Sequence, residues 1–136
     1  MTTLNPYLSF RDRAREAMSF YQAVFGGDLT IDEFGSIDGM ADAAEAHLVL
    51  HASLTTPDGF TLMASDTPAH MTYTAPSGMA ISVSGDDETS IRRFWDGLSE
   101  GGSVTQPLGS PPWGGLFGML TDRFGVDWLL AVNAPA

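Results

Sequence analysis

The second half of this chain repeats the first, and a duplication within 136 residues restricts the fold to two copies of one small supersecondary unit. Phe20-Tyr21 followed by Gly26-Gly27 returns as Phe94-Trp95 followed by Gly101-Gly102, offset by 74 and then 75 residues. Leu54-Thr55-Thr56-Pro57-Asp58-Gly59 returns as Leu120-Thr121-Asp122-Arg123-Phe124-Gly125, offset by 66. Helix end and turn are therefore closer together in the second copy. The length suits one domain of two modules, in which folding removes roughly two-thirds of the accessible surface from water.

Hydrophobic periodicity places the elements. Residues 4–10 read as a strand with Pro6 near its start, as at a sheet edge. Over 13–25, Ala14, Ala17, Met18, Tyr21, Val24 and Phe25 form one helical stripe that Gly26-Gly27 ends. Residues 29–34 predict a weaker strand, and 35–45 an acidic, mobile loop. Segment 46–54 alternates strictly, and its counterpart at 113–120 carries three glycines that each cost a helix about 1 kcal/mol, so strand is preferred over helix. Pro57-Asp58-Gly59 turns the chain into a strand over 60–64. Module one (1–67) thus reads βαβββ. After a linker at 68–77, module two (78–136) repeats the order. A strand over 78–84 leads to a helix capped by Asp86 or Asp87 with the stripe Ile91, Phe94, Trp95 and Leu98, followed by strands over 104–108, 113–120 and 126–132. The expectation is an α+β fold of eight strands and two helices.

A net charge of -11, with six arginines and no lysine, opposes nucleic acid and anionic membrane surfaces as partners. A small neutral, hydrophobic or cationic molecule fits better, although the same charge also serves solubility. Without cysteine, thiolate catalysis and thiolate metal sites are excluded. No signal-like start and no run of roughly 20 apolar residues is evident, so the cytoplasm is the expected compartment.

Laid out in this order, the chain resembles the vicinal oxygen chelate superfamily of glyoxalases, extradiol dioxygenases and bleomycin-resistance proteins, in particular its PhnB-like branch. The residues that carry the resemblance are Asn5-Pro6-Tyr7-Leu8-Ser9-Phe10, Glu16-Ala17-Met18-Ser19-Phe20-Tyr21 with Val24-Phe25-Gly26-Gly27, and Leu62-Met63-Ala64-Ser65-Asp66. To these are added Trp113-Gly114 to Gly118 and Asp122-Arg123-Phe124-Gly125-Val126-Asp127-Trp128. The resemblance implies two βαβββ modules whose mixed sheets curl around a shared cavity, and a homodimer. In metal-using members the ligands, commonly two histidines and two carboxylates, come from the first and last strand of each module. Those positions fall here on Asn5, Met79, Met63 and Leu129, an amide and three apolar side chains that cannot replace the hydration shell of a divalent ion. No metal and no cofactor is therefore expected.

The candidate site residues follow from the strand reading. His47 and His51 would share a zinc-ready face in a helix; in a strand they stand roughly 13 Å apart at about 3.3 Å per residue, too far for one ion. On a strand, His47, Val49, His51 and Ser53 would face the concavity, with Leu48, Leu50, Ala52 and Leu54 beneath the helices. His51 would then serve as hydrogen-bond partner or general base, or simply be satisfied by a neighbouring carboxylate. Trp113 and Trp128 would line a flat apolar wall or belong to the core. Asp66 is a candidate catalyst or a turn former, and Asp122 a turn residue. Gly114, Gly115 and Gly118 admit close approach of a ligand, a partner chain or a bulged strand. Phe20, Tyr21, Phe94 and Trp95 are expected in the core. Ligand contact is expected from Asn5, His47, His51, Met63, Met79, Trp113 and Trp128, with His51 and Asp66 as the catalytic pair if there is one.

Two functions remain open on this reading. One is a binding module that sequesters or carries a small molecule without metal, as the resemblance to bleomycin-resistance proteins implies. The other is a lyase, isomerase or dioxygenase of the glyoxalase kind, metal-dependent or using His51 as base. The PhnB-like branch carries a methyltransferase label in common naming, but no methyl-donor fingerprint is present here.

Overall fold

The computed structural model describes residues 2–37 and 43–134. Part of the loop expected to be mobile, 38–42, lies outside the described residues. The chain divides into two compact units, Met1–Ala75 and Pro76–Ala136.

The first unit contains β1 (Tyr7–Phe10), α1 (Ala14–Phe25), β2 (Asp28–Glu33), β3 (Val49–Thr55) and β4 (Thr61–Asp66). Its sheet runs β1-β4-β3-β2, with β1 parallel to β4 and the other pairs antiparallel. Strand pairing starts at Tyr7 rather than residue 4; Pro6 has no N–H but its carbonyl still accepts from Met63 at 3.1 Å. Two short 3-10 turns at Phe34–Ser36 and Ala43–Glu45 went unread in the sequence. The predicted stripe of α1 is buried at Ala14, Ala17, Met18, Tyr21 and Phe25, on the sheet side that carries Ala52, Leu54, Leu62 and Ala64. Small alanines on both sides let helix and sheet approach closely.

The second unit repeats this plan with β5 (Ala80–Gly85), α2 (Glu88–Ser99), β6 (Ser103–Gly109), β7 (Leu116–Thr121) and β8 (Asp127–Val132). The order is β5-β8-β7-β6, again with only the β5–β8 pair parallel. Ile91, Phe94 and Leu98 of α2 are buried on the side of Leu120, Trp128 and Leu130. Asp87 caps α2, accepting from the N–H groups of Thr89 and Ser90 at 3.1 and 3.4 Å and from the Ser90 hydroxyl at 2.7 Å. The Ser90 hydroxyl is the largest cause holding this carboxyl below the usual carboxylate range.

The repeated residues do the same work in each unit. A Cβ on Gly27 would stand 2.1 Å from the Thr55 carbonyl oxygen, and one on Gly102 would stand 2.3 Å from that of Thr121. Each glycine thus lets the helix exit pass directly over the end of its hairpin. The turns match as well: Thr56 donates to the Phe60 carbonyl at 3.0 Å and Asp122 to that of Val126 at 2.8 Å, while Gly59 and Gly125 close on Thr56 and Asp122 at 3.0 Å.

Residues 68–75, expected as part of a linker, cluster with the first unit. The Arg11 guanidinium donates to the carbonyls of Met71 at 2.7 Å and Pro68 at 3.4 Å and lies 5.3 Å from the Tyr73 ring centre. The Ala69 N–H donates to Glu45 at 2.9 Å.

Candidate functional site

The face of the first sheet turned away from α1 is the candidate site. Register places Tyr7 beside Met63, Met63 beside Ser53, and Ser53 beside Thr30; the next row brings Ser9 beside Ser65, with Asp32 beside His51. Because strand side chains alternate, these residues share one face while Leu8, Ala52, Leu54, Leu62 and Ala64 occupy the other. His51, Ser53, Met63 and Ser65 are half-buried, and Tyr7 is 48% exposed. The Tyr7 hydroxyl lies 3.1 Å from His51 Nδ1, and the two rings stack at 5.6 Å with an interplanar angle of 29°. Tyr7 escaped the sequence reading; its signal was the alternation of Tyr7 and Ser9 against buried Leu8 and Phe10.

His47 does not join His51. It lies in the turn before β3, exposed, beside a cleft of about 400 Å³ that Asp12, Arg15, Glu16, Ser19, Leu48 and Asp66 also line on the α1 side of the sheet. The strand expected from residue 46 begins at Val49 because the preceding backbone is used elsewhere: Leu48 donates to the Glu45 carbonyl at 3.1 Å and accepts from Phe34 at 2.9 Å. A register shift between Asp32 and Glu33 leaves Leu50 without a partner, a bulge that breaks the alternation. Val49 consequently turns inward at 1% exposure and Leu50 is half-buried, the reverse of the expectation for both.

Asp66 is 5% exposed and works as a structural bridge. One carboxylate oxygen accepts from the Ala14 N–H at 3.0 Å and the other from the Val49 N–H at 2.9 Å. The helix cap that Arg13 does not supply thus comes from β4, and the same group fixes where β3 begins. Asp66, expected as the catalytic partner of His51, is thus engaged by two backbone N–H groups. Asp122 is likewise structural: Oδ1 accepts from Phe124 at 2.8 Å and Val126 at 3.1 Å, and Oδ2 accepts from the Trp128 indole N–H at 2.8 Å. Trp128, 1% exposed, is core of the second unit and no ligand wall.

The second sheet has its own open face, and it is more apolar. Met119 pairs with Leu129 and Phe117 with Ala131, next to Ser82 and Ser84 of β5. Trp113, expected on a strand, sits in a turn closed by Gly114 N–H to Pro111 at 3.0 Å, 68% exposed, with its ring edge-on to Phe117 at 5.9 Å. Met79 precedes β5 and is 63% exposed, while Asn5 precedes β1 and donates to Thr3 at 3.1 Å. The glycines expected to admit a ligand or partner make room within their own unit. A Cβ on Gly115 would stand 2.1 Å from the Val132 carbonyl, and one on Gly118 would stand 2.8 Å from the Trp95 ring. Trp95 and Phe20, expected in the core, are half-buried.

Among the described residues no three His, Asp or Glu side chains group so as to hold an ion. The positions that the resemblance matches to the metal ligands, Asn5, Met63, Met79 and Leu129, carry one amide oxygen between them.

Two βαβββ units, each a mixed four-stranded sheet with one helix on one face, define an α+β protein of the glyoxalase-like fold. The chain belongs to the Glyoxalase/Bleomycin resistance protein/Dioxygenase superfamily, whose family model matches residues 3–130. It is similar to protein PA1353 from Pseudomonas aeruginosa, with 38% identity and a TM-score of 0.87 over 99% of this chain and 100% of that one. The PhnB protein from Bacillus cereus is 29% identical with a TM-score of 0.77, covering 97% of this chain and 100% of that one. Protein YjdN of Escherichia coli (strain K12) is 26% identical over 95% of this chain and 94% of the relative.

Proposed function

We propose that this protein binds a small organic molecule, without a divalent metal, on the open face of the first sheet, with His51 as the central hydrogen-bonding group. The observation that carries the reading is the Tyr7–His51 pair, which stands among Met63, Ser9, Ser53 and Ser65. A hydrogen bond between the phenol oxygen and Nδ1 fixes the orientation of the imidazole, so that Nε2 remains for a ligand. Small hydroxyls around it leave room, and Met63 adds an adaptable apolar contact. The net charge of -11 and Asp32 beside His51 favour a neutral or cationic ligand.

The second reading is an enzyme of the superfamily using His51 as general base. It has the same imidazole, but the expected partner Asp66 is not available as a relay, since both its oxygens accept from backbone N–H groups.

A thermal-shift screen of neutral and cationic aromatic compounds, run with and without EDTA, tests the proposal. A true ligand at a hundred times its Kd is expected to add about 2.7 kcal/mol of stability, EDTA or not. His51→Ala is expected to abolish the shift, and Tyr7→Phe to weaken binding roughly two- to tenfold through loss of one hydrogen bond. Shifts that require added zinc or manganese, or that ignore His51→Ala, would contradict the reading.

A further inference from the structure

The second unit contains a cleft of about 380 Å³ between α2 and β6, lined by Arg92, Trp95, Asp96, Val104, Pro107 and Leu108. Its floor is fixed by the absence of one side chain. At Gly118 a Cβ would meet the Trp95 ring at 2.8 Å and the Leu108 backbone at 2.9 Å, so the indole tip rests on bare β7 and cannot swing inward. The outer wall is β6, whose register slips between Val104 and Gln106 and again between Gln106 and Gly109. Such bulges bend an edge strand and re-aim its side chains, and here they leave Val104 46% exposed at the cleft.

The charges at the rim are unequal in availability. Arg92 is already paired with Glu88, one helical turn earlier, at 2.8 Å. Asp96, one turn later, has no side-chain hydrogen bond or ion pair among the described residues. The cleft therefore presents an indole, three apolar side chains, the Glu88-paired Arg92 and the Asp96 carboxylate, which has no ion-pair partner among the described residues, within a chain of net charge -11.

We infer that the α2–β6 cleft is a second binding site, taking an organic ammonium ion with an aromatic or branched apolar body. The body packs on Trp95, Val104, Pro107 and Leu108, and the ammonium group sits between the indole and the Asp96 carboxylate. Both attractions favour a cation and oppose an anion of equal size. The His51 face belongs to the other unit.

The test uses two probes of similar shape and opposite charge, 2-phenylethylamine and 3-phenylpropionate, titrated into the isotopically labelled full chain while amide chemical shifts are recorded. Saturable shifts confined to α2, β6 and the neighbouring part of β7 are expected with the amine, with the carboxylate roughly three- to thirtyfold weaker. Asp96→Asn, an exposed substitution that leaves the core untouched, is expected to weaken the amine roughly two- to fivefold. His51→Ala is expected to leave this titration unchanged, which separates its failure from failure of the first site. Equal response to both probes, shifts centred elsewhere, or indifference to Asp96→Asn would overturn the inference.

Discussion

Asp122→Ala is expected to destabilise the protein by about 3–5 kcal/mol, measured by equilibrium urea unfolding followed by tryptophan fluorescence. The carboxylate is 3% exposed and accepts three hydrogen bonds, from Phe124, Val126 and the Trp128 indole. Truncation leaves three buried donors with no water to replace the lost acceptor, and each such orphan costs about 1–3 kcal/mol. Trp128 is the largest fully buried side chain of the second unit, so its displacement spreads the damage into Leu120 and Leu130. Asp122→Asn separates charge from shape: its oxygen still serves the two backbone groups, but its amide faces the indole donor to donor. An intermediate loss is expected. A loss below about 1 kcal/mol for Asp122→Ala would show that the turn does not depend on this carboxylate.

The second large effect is expected at the paired glycines. Gly27→Ala and Gly102→Ala each drive a methyl group into a backbone carbonyl, at 2.1 Å from Thr55 and 2.3 Å from Thr121. No rotamer change relieves a clash with main chain, so helix and hairpin must part, costing roughly 3 kcal/mol or more in each case. Gly59→Ala provides the contrast: its φ of 90° carries left-handed strain, but nothing lies within 4 Å of the new Cβ. About 1–2 kcal/mol is expected there. Comparable midpoints for Gly59→Ala and Gly102→Ala in urea would contradict the close-approach account. Because the two clashes are homologous, they also test whether the sequence repeat is a mechanical one.

Those repeated positions explain why the architecture was legible. A glycine pair after a helix and a four-residue turn before a strand recur in both halves, and such recurrence shows in a single sequence even where the contact it serves is distant along the chain. The side-chain roles were less legible because they depend on partners far along the chain. Nothing around Val49 announces that Asp66 takes its N–H, so the start of β3, the bulge at Leu50 and the separation of His47 from His51 could not be read from alternation. Asp66 itself looks the same whether it caps a helix or performs chemistry. Trp128 sits on a period-two strand, and alternation alone does not say which face meets the helix. Tyr7 was visible as a strand residue, yet its contact with His51 reaches across β4 and spans 44 positions of sequence.

The account stands or falls on a ligand-binding face that works without a divalent ion. Elemental analysis combined with native mass spectrometry of the purified chain measures both halves of that statement in one sample. Zinc, iron and manganese well below one per chain, together with a retained organic mass that His51→Ala fails to hold, is the predicted result. One firmly bound transition metal per chain, whether or not His51→Ala retains it, would contradict it.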